Sequence, residues 1–374
     1  MRRRVAVLAL SVAAAAAAQT AEAIPAFARR YQVGCFHCHD GYPKLSTFGQ
    51  QFKERGFRME QEDPFSASKW IRTVPVIIRA TARRDFVEDA EGVSSGLLKG
   101  ISAGHLGKRL SYWVDDGVFV SEGDDTFTHL EPNNAWARFD VLREGKLYAR
   151  AGRMELDLPF TQVRTPHLFP YQIYAAGAES ASENMGEYQE GLEVGGGLRN
   201  DLRWSVAVVR ARPAGADEAS GANVFLRARK RTGDNRFGLF AYLGRNSRTF
   251  GVEELQRDIL RVGGDASVWW RRLNLYGVYL FGTSESTVKR PFELDGTTAS
   301  FNGGFLQGDY HFNDWIAVTM RGNLLNPPGG GDTVTSVFPG VQVWILRRLK
   351  LSAQYGFQSG DVPDGGAVQL DVAF

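Results

Sequence analysis

From about residue 71 to its end, the chain consists of short segments in which apolar and polar residues alternate, separated by turn-forming residues. Val224, Leu226 and Ala228, for example, alternate with Arg227 and Arg229. Period two indicates β-strands with one apolar face and one polar face. The pattern predicts sixteen strands, at 71–86, 95–106, 109–120, 134–142, 147–155, 187–198, 202–211, 222–231, 236–244, 258–270, 272–282, 299–310, 314–323, 335–346, 349–358 and 366–374.

The connections between these segments are alternately short and long. Gly107-Lys108 and the corner at Arg347-Arg348 are short, whereas the longest connection runs from Leu156 to Gly186. An even number of strands, with tight turns at one end and longer loops at the other, is the layout of bacterial outer-membrane barrels. We therefore predict an all-β fold, an outer-membrane barrel of about 16 strands over residues 70–374. Its first strand would rise from the periplasm, and its long connections would be extracellular.

The ending and the overall composition agree with a barrel. The last strand ends at Phe374, which resembles the assembly signal of outer-membrane proteins. Aromatic residues make up 12% of the chain, and 42 glycines accompany only 14 prolines, as suits a β-rich protein. The alternative is a soluble all-β protein such as two sandwiches, which leaves the regular alternation of connections and the lack of a Pro-rich linker unexplained.

The N-terminus has the features of a secretory signal peptide over residues 1–23. Arg2 to Arg4 form a positive region, Val5 to Ala18 an apolar region, and Ala21-Glu22-Ala23 a small-x-small cleavage site. Removal of this segment changes 44 basic and 42 acidic residues to 41 of each, and a net charge of zero argues against nucleic acid as a partner. No later stretch approaches eighteen consecutive apolar residues, so any membrane crossing must be made by strands.

Both cysteines of the chain lie in the pentapeptide Cys35-Phe36-His37-Cys38-His39. C-x-x-C-H is the signature of c-type haem attachment, in which two thiols form thioethers to the porphyrin and the following histidine ligates the iron. The motif predicts one covalent haem c. A disulfide, half of a zinc site and a redox motif are the alternatives. However, structural zinc normally needs four protein ligands, and no second cysteine pair exists.

The chain divides near Trp70 into two unequal parts. Residues 24–69 read as a small, partly helical haem module, in which Pro43 is placed to start a helix with Leu45, Phe48 and Phe52 on one face. That apolar stripe would cover a porphyrin face or pack on the barrel wall. About 45 residues need a staple to fold, and covalent haem together with docking onto the barrel would provide it.

The N-terminal module resembles the fused monohaem cytochrome–porins of the bacterial outer membrane. The resemblance is carried by Pro25-Ala26-Phe27-Ala28-Arg29, the C-x-x-C-H pentapeptide, Tyr42-Pro43-Lys44-Leu45, Phe48-Gly49 and Gly56-Phe57-Arg58-Met59. Members of that family from iron-oxidising bacteria act as iron(II) oxidases at the cell surface. The resemblance implies a small cytochrome that partly occupies a sixteen-stranded barrel, with Cys35 and Cys38 as thioether residues and His39 as the proximal iron ligand.

The distal haem ligand and the remaining histidines are less defined by the sequence. Met59 is the first candidate, because a thioether opposite histidine raises the haem potential, but a methionine packed on an aromatic ring is the alternative. His37 lies inside the attachment loop, on the proximal side. The other four histidines fall on strand ends or connections, where surface or lumen positions are expected: His105, His129, His167 and His311.

These features predict an electron conduit that passes electrons from an extracellular donor, Fe(II), to a periplasmic c-type cytochrome. No catalytic residue set for hydrolysis or group transfer is present, and electron transfer asks the protein only to place and tune the haem. Acidic residues in the inferred extracellular loops would concentrate cations near the mouth. They are Glu88, Asp89, Glu91, Glu122, Asp124, Asp125, Glu131, Asp217, Glu218, Asp361 and Asp364. The alternatives are a transport porin with a structural or sensory haem, and a conduit that delivers electrons outward.

Overall fold

The computed structural model describes residues 26–31, 33–40, 44–59, 75–88, 92–122, 125–127, 134–160, 168–179, 183–210, 220–250, 253–290, 293–346, 348–360 and 363–373. The predicted signal peptide, Pro43, residues 60–74 and Phe374 lie outside these ranges. No helix in the described ranges is long and apolar enough to cross a membrane.

Within the described ranges, seventeen strands form one antiparallel sheet. They are β1 Val76–Val87, β2 Ser94–His105, β3 Leu110–Glu122, β4 Asp125–Phe127, β5 Asn134–Leu142, β6 Leu147–Met154, β7 Gln189–Gly197, β8 Leu202–Arg210, β9 Ser220–Thr232, β10 Asn235–Phe250, β11 Glu253–Trp270, β12 Leu273–Arg290, β13 Glu293–His311, β14 Ile316–Asn326, β15 Val334–Leu346, β16 Leu349–Gln358 and β17 Gly365–Ala373. The short β4 pairs with β3 alone. The other sixteen strands pair with their neighbours in the chain, and β1 also pairs with β17, from Arg79 opposite Ala373 to Val87 opposite Gly365. The sheet therefore closes into a sixteen-stranded barrel, as the sequence predicts.

Strands β10 to β13 are longer than predicted. The ladder between β10 and β11 continues to Phe250 opposite Glu253, and that between β12 and β13 to Arg290 opposite Glu293. Two connections that the sequence predicts to be long are therefore shortened to the two residues between the paired strand ends. The apolar alternation along these strands ends before the backbone pairing does. At Arg245, the outward face of β10 is already polar, and this side chain pairs with Asp258 at 2.6 Å.

The barrel wall is polar inside and apolar outside. On β10, Leu239 and Phe237 face outward and are 69% and 46% exposed, whereas Phe240 and Tyr242 are buried inside. The inward side also buries charged groups, among them Arg261 and Arg321 of β11 and β14, which are 0% exposed. This inverted pattern is typical of a barrel whose outer face contacts lipid.

The described residues before the barrel form three short helices: α1 Ala26–Tyr31, α2 Cys35–Cys38 and α3 Thr47–Glu54. Helix α3 begins after Ser46, whose Oγ accepts a hydrogen bond from the Gly49 amide at 3.1 Å. Its Phe52 packs with Trp136 and Met154 on the inner side of the wall. The described part of this segment thus shares its core with the barrel, in agreement with the alternative in which the apolar stripe packs on the barrel wall. The helix begins at Thr47, after Leu45, rather than at Pro43 as the sequence predicts.

The connection between β6 and β7 is 34 residues long, and its described parts, residues 155–160, 168–179 and 183–188, lie in the lumen and include a 3-10 turn at Gln172–Tyr174. The expectation that it is an extracellular loop is wrong. Its apolar side chains, such as Phe160 and Ile173, pack on inward-facing aromatic residues of β9 to β13. Wall arginines donate to its carbonyls, as Arg321 Nη1 does to Phe169 at 3.1 Å. We call it the lumen loop.

Candidate functional site

The predicted haem-attachment residues lie together in one tightly bonded turn. Cys35 and Cys38 are the first and last residues of α2, and His39 follows directly and forms an isolated β-bridge with Leu45. The Ser46 amide donates to the Cys38 carbonyl at 2.9 Å, and Ser46 Oγ donates to the His37 carbonyl at 2.9 Å. These hydrogen bonds hold α2 and His39 against the start of α3.

Gly49 allows α2 and α3 to approach this closely. A Cβ atom at this position would lie 2.1 Å from the Cys38 carbonyl oxygen and 3.1 Å from Leu45 Cδ2. Real Cβ contacts are never so short, so any other residue would push the two helices apart. The Phe48-Gly49 pair noted in the sequence thus has a steric role at the attachment turn.

An aromatic cluster lies between the helices and the barrel wall. The His37 ring packs at a tilt against Phe48 with ring centroids 4.1 Å apart, and Phe27 stacks on Phe57 at 5.4 Å. Met59 packs against the same cluster, in agreement with the alternative of a methionine on aromatic rings, while its iron ligation stays a prediction. The cluster consists of Phe27, Tyr31, Phe48, Phe52, Phe57, Trp113 and Trp136.

Phe57 is fixed in an unusual backbone conformation at the centre of this cluster. Its φ is 61°, in the left-handed region that non-glycine residues seldom adopt. The Phe57 carbonyl accepts hydrogen bonds from Tyr31 Oη at 3.2 Å and from His105 Nδ1 at 3.3 Å. His105 also lies 3.2 Å from Arg30 Nη2. His105 is thus a buried link between the helices and β2, a role that the sequence did not indicate.

Three charged side chains of the N-terminal segment anchor it to the barrel wall. Lys44 Nζ lies 2.8 Å from Asp309 Oδ2 on β13 and 2.5 Å from Asn274 Oδ1 on β12. Arg58 Nη1 lies 2.7 Å from Asp140 Oδ2 on β5. Glu54 Oε1 lies 2.9 Å from Arg229 Nη2 on β9. These anchors lie on different sides of the lumen, so the segment is held across its short-turn end.

Burial around the attachment turn shifts the pKa values of two nearby groups. Burial lowers the pKa of Lys44, an effect that the Asp309 carboxylate opposes. Burial raises the pKa of Asp40, next to His39, while the charges of Lys44 and Arg236 act in the opposite direction. Arg236 at the start of β10 is thus close enough to influence the attachment segment electrostatically.

A cavity of about 150 Å³ lies between α3, the start of the lumen loop, and the short-turn ends of β5 to β10. Its lining contains ten basic and six acidic side chains, and we call it the basic cavity. Asp157 of the lumen loop lies inside it. Burial would raise the pKa of Asp157, but Arg229, Arg227, Lys53 and Arg150 outweigh burial and lower the pKa to about 2.

Higher in the lumen, a second charged cluster holds the lumen loop. Glu183 Oε2 accepts from the Glu179 amide at 3.1 Å and lies 3.4 Å from Arg257 Nε. Arg261 donates to the Glu183 carbonyl. Burial raises the pKa of the Glu183 carboxyl to about 7, against the opposing effects of Arg261 and Asn246.

Several residues predicted to matter lie outside the described ranges: His129, His167, Asp89, Glu91, Asp124, Glu131, Asp217, Glu218 and Asp361. Glu88 is exposed, and its amide donates to the Asp364 carbonyl at 3.0 Å. His311 stacks on Trp269, with ring centroids 5.8 Å apart. Within the described ranges, no group of three or more His, Cys, Asp or Glu residues is placed to hold a metal ion.

The fold defines a closed, porin-type β-barrel whose lumen holds two segments of the same chain. No protein-family model matches the chain, and no curated protein matches its sequence. Among solved structures, it is similar to an anion-selective porin from Comamonas acidovorans, with a TM-score of 0.59, 14% identity, and coverage of 80% of this chain and 99% of that one.

Two further solved structures are similar to it. Salmonella typhi OmpF in complex with daunomycin gives a TM-score of 0.57 at 12% identity, covering 80% of this chain and 97% of that one. The trimer form of Vibrio cholerae OmpT gives 0.55 at 12% identity, covering 81% and 99%. At these identities the similarity concerns the fold.

Proposed function

We propose that the chain is an outer-membrane electron-transfer protein in which a c-type haem, attached at Cys35 and Cys38, is held in the barrel lumen. The observation that carries the proposal is the anchoring of the C-x-x-C-H segment inside the barrel through Lys44, Glu54 and Arg58. The porin-type fold and the apolar outer face support an outer-membrane location. The short turns, and with them the attachment segment, would then face the periplasm.

The residues at the attachment turn fit a covalent haem. Two cysteines at the ends of one helical turn, followed directly by a histidine, provide the donor set for two thioethers and one axial imidazole. The adjacent aromatic cluster provides the apolar surface that a porphyrin requires. Met59, on the same cluster, is the proposed distal ligand.

The residues of the chain would position the haem and set its reduction potential. A haem bound here supplies a site that takes up and releases one electron. Ser46 and Gly49 keep the attachment turn against α3, and Lys44 and Arg58 fix α3 relative to the wall. The aromatic cluster excludes water from its surroundings. A thioether ligand from Met59 would raise the potential, as an acceptor of electrons from a mild reductant requires.

The barrel explains why a membrane protein is needed for such a reaction. A hydrocarbon layer about 25 Å thick has no place for an exposed metal centre or a charged carrier. A polar lumen admits a haem at membrane depth. Electrons would pass from extracellular Fe(II) to a soluble periplasmic c-type cytochrome, and the outer-membrane lipid would contact the apolar outer face.

The test uses the full chain, produced with cytochrome-maturation proteins and inserted into liposomes that enclose an oxidised soluble cytochrome c. Anoxic Fe(II) added outside should reduce first the haem of the chain and then the enclosed cytochrome. The Cys35→Ala/Cys38→Ala variant should show no haem bands and no internal reduction. A colourless wild-type protein would overturn the proposal. A haem that stays oxidised when Fe(II) is added, at both mildly acidic and neutral pH, would overturn it as well.

A solute channel is the second candidate, and the fold similarity to porins favours it. In that case haem would serve stability or sensing. Solute permeation through the wild-type barrel in planar bilayers, unchanged in the Cys35→Ala/Cys38→Ala variant, would support this reading. A third possibility is a conduit that delivers electrons outward to an extracellular acceptor. The reduction potential of the haem distinguishes it from the inward conduit, because a haem of low potential does not take up electrons from Fe(II).

A further inference from the structure

We propose that the basic cavity is a binding site for a carboxylate-bearing anion. The cavity lies beside the attachment segment, between α3 and the wall, and its volume of about 150 Å³ suits a small organic group. Ten basic side chains against six acidic ones leave an excess of positive charge that the described lining residues do not neutralise. This inference does not depend on electron transfer.

The carboxylates in the cavity are shared among several cations. Glu54 lies 2.9 Å from Arg229, 3.5 Å from Arg203 and 3.6 Å from Arg231. Arg229 also lies 3.6 Å from Asp157. Glu54 therefore already interacts with three guanidinium groups, and the cavity lining holds fewer carboxylates than cations.

Arg236 provides the clearest unbalanced charge. Its guanidinium has no ion-pair partner among the described residues and lies 6.0 Å from the ring centroid of Phe160. On the neighbouring strand, the Nε–H groups of Arg227 and Arg231 are buried, with no hydrogen-bond acceptor among the described residues. A buried donor left without an acceptor costs about 1–3 kcal/mol, and more when it is charged. A bound anion would remove these costs.

The geometry of the donors specifies the class of ligand. Planar guanidinium groups bind carboxylates through two parallel N–H donors, which a simple halide does not match. Two sources of carboxylate are compatible with the position of the cavity: the propionate groups of a haem attached at Cys35 and Cys38, and a free di- or tricarboxylate. Leu45, which forms a β-bridge with His39, and Lys44 line the cavity together with Arg236, so the cavity adjoins the attachment turn.

The test is calorimetric titration with citrate at low ionic strength, on the full chain in detergent. The haem-free Cys35→Ala/Cys38→Ala chain should bind one citrate. Arg236→Gln in that background should weaken binding about tenfold or more, because a charge-assisted contact is lost. The matched control is Arg245→Gln on the same strand, which removes an exposed arginine paired with Asp258 outside the cavity.

Titration of the haem-loaded chain with citrate distinguishes the two sources of carboxylate, haem propionates and a free carboxylate. If citrate binds only the haem-free chain, propionates occupy the site; if it binds both forms equally, the ligand is a free carboxylate. Either result supports an anion site. Absence of saturable citrate binding by the haem-free chain, or equal binding by the Arg236→Gln and Arg245→Gln variants, overturns the inference. Unchanged circular dichroism and heat-modifiable gel mobility establish that each variant is folded. The titration of the haem-free chain tests the anion site even if the wild-type chain never attaches haem.

Discussion

Lys44 Nζ and Asp309 Oδ2 lie 2.8 Å apart, and their side chains are 4% and 2% exposed. The pair joins the attachment segment to β13, across 265 residues of sequence. Asn274 accepts a further hydrogen bond from the same ammonium group, which also lies 4.3 Å from the ring centroid of Tyr276. Such a buried pair stabilises the docked segment only while both partners are present, because each charge has lost its water.

Lys44→Met should therefore destabilise the protein by about 3–5 kcal/mol, because it leaves the Asp309 carboxylate buried and unpaired. The double variant Lys44→Met/Asp309→Leu should recover most of that loss. Denaturant unfolding in detergent measures both. Lys146→Met is the matched control, since Lys146 forms an exposed pair with Glu144 at 3.4 Å that contributes about 1 kcal/mol or less. Equal losses in the Lys44 and Lys146 variants would contradict the proposed role of the pair.

Gly49→Ala should separate α2 from α3, because its Cβ would lie 2.1 Å from the Cys38 carbonyl oxygen. We expect lower haem incorporation per polypeptide and faster proteolysis of the N-terminal segment. The pyridine haemochrome assay and limited digestion measure these two effects. Gly34→Ala is the control in the same segment, because nothing lies within 4 Å of a Cβ built at Gly34. If both variants incorporate haem like the wild type, the close contact has no role in attachment.

The ligation of Met59 is testable against a second methionine in the same surroundings. Met59→Leu should lower the haem potential and change the ferric spectrum, because a thioether ligand raises the potential. Met154→Leu is the control: Met154 is fully buried in the same aromatic surroundings but is not proposed to bind iron. Spectroelectrochemistry measures both potentials. Equal potentials in the two variants would assign Met59 to packing.

The strand pattern could be read from the sequence because lipid outside and polar groups inside impose period two on every strand. The prediction placed β5 at Asn134–Leu142 and β16 at Leu349–Gln358, as found. It shortened β10 to β13, because beyond the apolar band Arg245 and Asp258 pair on the outward face while the backbone ladder continues.

The contents of the lumen were harder to predict. The lumen loop carries Phe160 and Ile173 among polar residues, without a periodicity that indicates which surface they bury against. Its direction is set by contacts distant in sequence, such as those from Arg321 and Arg257 to its carbonyls. The basic cavity had one local signal, the inward alternation of Arg227 and Arg229 with apolar residues on β9, but its partners Glu54 and Asp157 are set by tertiary structure.

Packing of the lumen loop should depend on pH through Glu183. Burial raises the pKa of its carboxyl from the ordinary 4.5 to about 7, so the folded form holds the proton more tightly than the unfolded form. The stabilisation that protonated Glu183 gives to the packed lumen loop is therefore fully present below about pH 4.5 and is lost as pH rises through about 7. Proteolysis of the loop should be faster at pH 8 than at pH 5.

Glu183→Gln should flatten this pH dependence, since the amide does not ionise. Glu187→Gln is the control, because Glu187 is an exposed carboxylate in the same loop. The protease must be one whose own activity is calibrated at both pH values with an unfolded substrate. A wild-type loop that is cleaved equally fast at pH 5 and pH 8 would contradict the role of Glu183.

The proposed membrane position of the barrel can be tested with two leucines on its outer face. Leu239 lies within β10 and is 69% exposed, whereas Leu198 follows β7 at the short-turn end and is 59% exposed. Arginine on the lipid face costs about 2–4 kcal/mol near the bilayer midplane and about 0–1 kcal/mol near the interface. Leu239→Arg should therefore lower the free energy of unfolding in lipid vesicles far more than Leu198→Arg. In a water-soluble barrel, neither exposed site would carry this penalty, and equal stabilities of the two variants would remove the membrane assignment.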